Sequence, residues 1–229
     1  DYILVYLKGG KNVKKVCLDP GHDAGNLANK SPDGTYYEHE FCLDMGKRLQ
    51  EILERHGVEV TMTRPDGGAV SLAERCNIAN SIKNLDMFVS LHSNAAGGSG
   101  WYSAKGWSAY VYKLSGNGYE AAKKILERVK SAGVEVRSTP IVADPGLYVL
   151  KGTVAPAVLI EHGFHTNQDD VEKLKDSAYR QKMAEAEAKG ILDCLGIQWK
   201  EETVSTPSEI DLSVQWVQAV GIMQGNVNG

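Results

Sequence analysis

Three segments of this 229-residue chain end an apolar run in groups that can move protons or bind a metal: "VCLDPGH", "MFVSLHSN" and "AVLIEHG". The first delivers His22, the second His92 with Asn94 two residues on, the third Glu161 followed by His162 and Gly163. A charge at the end of a buried strand is costly unless something pairs with it. Two imidazoles and a carboxylate from separate elements form a common catalytic zinc set, with a fourth position left for water. His22, His92 and Glu161 supply one such set. "YYEHEF" offers two further carboxylates, Glu38 and Glu40, at the start of a helix-patterned stretch where the helix dipole favours acids on its own account. Residue types and spacing leave these glutamates open as the ligand.

The surroundings carry weaker signals. Asn94 lies on the face of His92 if the strand continues, where it contacts substrate, fixes a ligand or caps the strand. Asp19 is read either as an acceptor that orients a ligand imidazole or as a turn residue. Gly163 suits a tight turn. Arg64 and Arg75 read as structural pairs rather than substrate contacts. His39 and His165 are extra imidazoles near the motifs, solvent-facing or tuning a pH response. Strand alternation points His162 away from Glu161. Trp101 and Trp107, in "GSGWYSAKGW", either stack on sugar rings or close over a sheet.

The elements that must position these groups alternate between strand and helix. Strands are expected at Val16 to Asp19, Val58 to Thr63, Met87 to His92, Ser108 to Leu114, Leu147 to Lys151 and Ala157 to Glu161. Phe41, Leu43, Met45, Leu49, Ile52 and Leu53 recur at helical spacing between Glu38 and His56, and Gly57 supplies a stop. Ser71 with Glu74 forms a capping box for a helix to about Asn84. Further helices are expected from Tyr119 to Ala132, from a cap at Asn167 through Leu174, and from Ser177 to Leu195. This pattern predicts a single α/β domain with a twisted, mostly parallel central sheet and helices on both faces. In such sheets ligands gather beyond the carboxyl ends of the strands, where the three motifs fall.

"LDPGHD", the glutamate opening the next helix, "FVSLHSNAA" and "LYVLKGTVAPAVLIEHGFHTNQDD" together resemble the zinc-dependent N-acetylmuramoyl-L-alanine amidases of the amidase-3 type. The resemblance runs from about Val16 to Leu195, in order, and is nearest to amidases of phage endolysins and bacterial autolysins. It implies hydrolysis of the peptidoglycan amide between N-acetylmuramic acid and L-alanine. It also implies Zn2+ as cofactor, held by His22, Glu38 and His92, and Glu161 as the glutamate that does not bind metal. Glu38 rather than Glu40 keeps "EHEFCLDMGKRL" in the family's register. Zinc brings the pKa of a bound water toward about 7, and a nearby carboxylate passes that water's proton to the leaving nitrogen. The loop "DAGNLANKSPDGTYY" and His162 depart from the family's usual pattern. The alternatives are a zinc carboxypeptidase acting on stem peptides, for which no arginine cluster stands out near the motifs, and a noncatalytic wall-binding module.

Composition bounds the rest. The net charge of −4 excludes a basic nucleic-acid footprint, and no apolar run reaches the roughly 18 residues of a membrane span. Nothing in the sequence fixes an oligomeric state. Cys17, Cys42, Cys76 and Cys194 sit far apart in apolar patterns and read as free thiols, which suits a reducing compartment. The start does not read as a signal peptide, whereas peptidoglycan lies outside the membrane. An endolysin that accumulates in the cytoplasm before release reconciles the two; a wall autolysin that has lost its leader is the alternative. The catalytic domain is expected over 1–198. The polar stretch that follows is expected to be a linker, with the start of a C-terminal module, over 199–229.

Overall fold

Residues 38–55 carry apolar side chains every three or four positions, and in the computed structural model they form helix α1, Glu38–Arg55, with one face buried. The structure describes residues 13–201. The other elements follow in order: β1 Lys15–Pro20, β2 Glu59–Met62, α2 Leu72–Ser81, β3 Met87–Asn94, β4 Trp107–Val111, α3 Gly116–Ser131, β5 Val136–Ala143, α4 Tyr148–Gly152, β6 Ala157–Phe164, α5 Gln168–Lys175 and α6 Ser177–Leu195. Gly57 (φ +79°) turns the chain out of α1. Ser71 accepts from Glu74 N, and Asn167 from Asp170 N, as their capping patterns predict.

The six strands form one sheet in the order β2-β1-β3-β6-β4-β5. β2, β1, β3 and β6 run parallel; β4 pairs antiparallel with β6, and β5 runs with β4. The expected α/β architecture is therefore present. One face packs Val16, Leu18, Val89, Leu91, Val158 and Ile160 against α1, α3, α5 and α6. The other packs Cys17, Phe88 and Leu159 against α2 and α4. All four cysteines are free.

Three expectations change. Leu147–Lys151 is not a strand: Tyr148–Gly152 forms the short helix α4, with Val149 and Leu150 buried. A four-residue apolar run fits either element, and packing decides; Gly152 lies against Cys76 of α2, where an added Cβ would be 2.7 Å from Sγ. The edge strand β5 follows no apolar run and was not expected from the pattern. Finally, β3 and β6 continue past His92 and Glu161, through a register shift between His92 and Asn94. Gly163, at φ +149°, sits in this irregularity and not in a tight turn.

Helices α3 and α6 cross closely because Gly190 has no side chain: an added Cβ would lie 2.5 Å from Ile125 Cα. Gly190→Ala is expected to lower stability by about 1–3 kcal/mol despite better helix propensity, read as a reduced denaturation midpoint with an unchanged m-value. Trp199 still belongs to this unit, with its ring 4.7 Å from that of His56. The expected linker and C-terminal segment, 202–229 in particular, lie outside the described residues.

Candidate metal centre and active site

β1, β3 and β6 are neighbours and parallel, so their carboxyl ends emerge side by side. Pro20 pairs with Leu91, and His92 pairs with Glu161. α1 then lays Glu38 across these ends. His22, Glu38 and His92 converge, with one potential ligand atom from each lying within 4.8 Å of the others. His22 Nε2 is 3.1 Å from Glu38 Oε2, and His92 Nδ1 is 3.1 Å from Glu38 Oε1. Ser93 N also donates to Glu38 Oε1 at 3.0 Å. Glu40 is exposed.

Glu38 is 2% exposed, and among the described residues no lysine or arginine pairs with it. The groups beside it are imidazoles: His22, His92 and, at 3.8 Å, His165. Burial pushes its carboxyl up, but hydrogen bonds and charge from His22 and His92 outweigh this and hold it well below the usual range. A buried carboxylate faced by two nitrogen donors fits a divalent zinc ion, whose protein ligands are of this kind. Burial pulls the pKa of His165 down, against the charge of Glu38; its Nδ1 lies 3.0 Å from Ser93 O.

His22 sits in a left-handed conformation, φ +57°, a strained state for a residue with a side chain. Two buried arginines hold it there. Arg64 donates from Nε to Pro20 O and from Nη2 to Gly21 O and His39 O. Arg75 donates from Nη1 to Pro20 O at 2.6 Å and from Nη2 to His22 O at 2.6 Å. Three successive carbonyls of the turn are thus tied to guanidinium groups. Gly21 is needed for a second reason: an added Cβ would lie 2.3 Å from His92 Cε1.

Asp19 does not orient an imidazole. Its oxygens accept from Thr63 Oγ1 and Arg75 Nη1, and from Ser90 Oγ, because its side chain lies on the α2 face below the turn. The groups nearest His22 are instead Asn26 and Asn29, whose amide nitrogens lie 2.9 and 3.0 Å from Nδ1. They belong to the aperiodic loop after His22, where no sequence pattern marks them.

Glu161 lies beside His92 on the same sheet face, and its Oε2 is buried without a hydrogen-bond partner. Burial first, then the charge of Glu38, raises its carboxyl well above the usual range; Arg137 acts in the opposite direction. His162 points to the other face, as alternation predicts. Its Nδ1 is 2.7 Å from His92 O and its Nε2 3.2 Å from Glu187 Oε2 on α6. Trp107 is fully buried and donates to the other oxygen of Glu187 at 2.9 Å, so this tryptophan fixes the core and not a sugar. Asn94 Nδ2 is 3.5 Å from Tyr110 OH.

An α/β sheet whose strand ends gather two imidazoles and a carboxylate beside a second, unpartnered carboxylate has the donor set of a metal-assisted hydrolase. The family described as N-acetylmuramoyl-L-alanine amidase matches residues 16–193. The chain is 34% identical over 179 residues to the N-acetylmuramoyl-L-alanine amidase CwlM of Bacillus licheniformis, covering 77% of this chain and 67% of that one. It is 32% identical over 227 residues to the endolysin of Bacillus phage SPP1, covering 94% and 78%. Among solved structures, AmiC2 of Nostoc punctiforme superposes with a TM-score of 0.72 at 31% identity, over 80% of this chain and 97% of that one. The amidase of Clostridium difficile 630 superposes at 0.73 and 28%, over 81% and 98%. The chain belongs to the N-acetylmuramoyl-L-alanine amidase family. The activity that goes with it is hydrolysis of the amide bond between N-acetylmuramic acid and L-alanine in peptidoglycan.

Proposed function

We propose that this chain hydrolyses that amide at a zinc site held by His22, Glu38 and His92, with Glu161 as the general base and then the general acid. The observation that carries the reading is the juxtaposition of the three-ligand cluster with Glu161 Oε2, buried and free of partners one strand away from His92. A zinc ion bound there supplies Lewis acidity, which acidifies a water and polarises the scissile carbonyl. The rest falls to the chain. Glu161 accepts a proton from the attacking water and delivers it to the departing alanine nitrogen. Asn94 contacts substrate beside Glu161.

The reading is tested by digesting purified muropeptides. New N-terminal alanine, lost on chelation and restored by zinc, is the expected result. Free D-alanine would indicate the carboxypeptidase, and no product a wall-binding module. Because Arg75 holds the His22 turn, Arg75→Gln is expected to weaken zinc binding about 10- to 100-fold, measured by competition with a chromogenic chelator.

The proposed catalytic domain spans 1–198, with Trp199 packed against it through His56, and the proposed linker with the start of a C-terminal module takes up the rest of 199–229. The protein acts on the wall side of the membrane. Among the described residues no helix is long and apolar enough to cross one. Accumulation in the cytoplasm before release, as for an endolysin, is supported by the four free thiols.

A further inference from the structure

Among the described residues Arg137 is a cation beside this site that no carboxylate pairs with, although its charge acts on Glu161 from a distance. It lies on β5, separated from β6 by β4. Ser108 of β4 pairs with Glu161, and Tyr110 follows two residues along on the same face. Arg137 Nη1 donates to Tyr110 OH at 3.3 Å, and its guanidinium lies 5.3 Å from the centre of the Phe164 ring. It is half-buried, yet among the described residues no carboxylate lies within ion-pair distance of it. The other arginines of the interior are engaged: Arg75 with Asp19, Arg48 and Arg180 with Asp44, and Arg64 with three carbonyls.

Two further donors meet it. Asn94 Nδ2 approaches the same Tyr110 hydroxyl at 3.5 Å. The amide is held in that sense because Asn94 Oδ1 accepts from Ala95 N at 2.8 Å. The phenol oxygen therefore faces two donors, and its own proton is left for another acceptor. An amide, a phenol and a guanidinium gather on the β5 side of Glu161 with no anion among them.

We propose that Arg137, Tyr110 and Asn94 form a subsite for a carboxylate of the stem peptide, which makes the enzyme prefer stems whose carboxylate is free over stems in which it is amidated. The proposal rests on the reading of Glu161 as the group at the reacting bond. Strands are about 4.8 Å apart, which puts β5 about 10 Å from β6. An extended peptide advances about 3.5 Å per residue, so the carboxylate of the residue after L-alanine lies about 7 Å from the scissile nitrogen. An arginine side chain spans the remainder. A guanidinium pairs with a carboxylate through two parallel hydrogen bonds. A primary amide keeps one acceptor oxygen but turns its NH2 donors against the guanidinium, so the second of the two parallel bonds is lost.

The test uses two soluble muropeptides that differ only at the carboxylate of the second stem residue, free in one and amidated in the other. The wild-type enzyme is expected to favour the free acid at least tenfold in kcat/KM. Arg137→Gln is expected to bring that ratio near one, mainly by raising KM for the acid, and Arg137→Lys to retain part of the preference. Calorimetric binding to Glu161→Gln, with and without Arg137→Gln, reads the same preference without turnover. A ratio that Arg137→Gln leaves unchanged overturns the proposal. So does an equal fall in kcat on both substrates with no change in relative binding, which would make Arg137 a support for Glu161 alone. If the wild-type enzyme releases N-terminal alanine from neither muropeptide, the amidase reading fails, and the binding preference still decides the subsite.

Discussion

Glu161→Gln is expected to lower kcat by about a hundred- to ten-thousand-fold while bound zinc, measured by metal analysis, stays at one per chain. Glutamine keeps the shape of the side chain but cannot accept the water's proton. Glu161 is also absent from the cluster of three converging ligand atoms, so its replacement leaves the metal's donors in place. Loss of zinc together with activity would return Glu161 to the ligand set. In the metal-free protein, burial first and then the charge of Glu38 raise this carboxyl above the usual range. The same shift has a sign in stability. A carboxyl whose folded pKa is raised adds stability at low pH that is lost as pH rises through the folded value. Above that value the metal-free protein holds a buried charge with an unpartnered oxygen. Metal-free Glu161→Gln is therefore expected to melt a few degrees higher than metal-free wild type at pH 7–8, and to lose that advantage on acidification. An active-site residue that lowers stability is a common pattern in enzymes.

The sheet and the place of the candidate site on it were largely legible in the sequence because both follow short-range rules. Apolar runs of four to six residues mark β1, β3 and β6, and parallel α/β sheets gather function at the carboxyl ends of such strands. His22, His92 and Glu161 could be singled out on that ground alone. The choice of Glu38 over Glu40 followed from resemblance, and the structure buries the first and exposes the second. Alternation also turned His162 away from Glu161 correctly. Its partner could not be read, because Glu187 lies 25 residues on and only the packing of α6 against β6 brings it near. β5 was illegible for a different reason. "VRSTPIVA" is an edge strand with exposed positions and a proline, so it carries neither an apolar run nor clean alternation. Arg137, on that strand, was hidden with it. The two arginines that clamp the His22 turn looked structural in sequence and are so, but what they hold, three carbonyls beside a strained histidine, is visible only in three dimensions.

Glu38→Gln should separate the metal from the fold. The substitution removes the only carboxylate of the converging set and leaves both imidazoles. Loss of a partner outside the ligand set costs about 10- to 100-fold in metal affinity, and loss of a charged ligand should exceed that. Zinc affinity is accordingly expected to fall by more than about 100-fold, and activity at limiting zinc to fall with it. The sheet should survive, because among the described residues the polar partners of the side chain are His22, His92, His165 and Ser93 N at the strand ends. The core beneath is apolar and does not involve it. Retained zinc affinity in Glu38→Gln would move the carboxylate ligand elsewhere, and Glu161, paired with His92 across the strands, is the glutamate to test next.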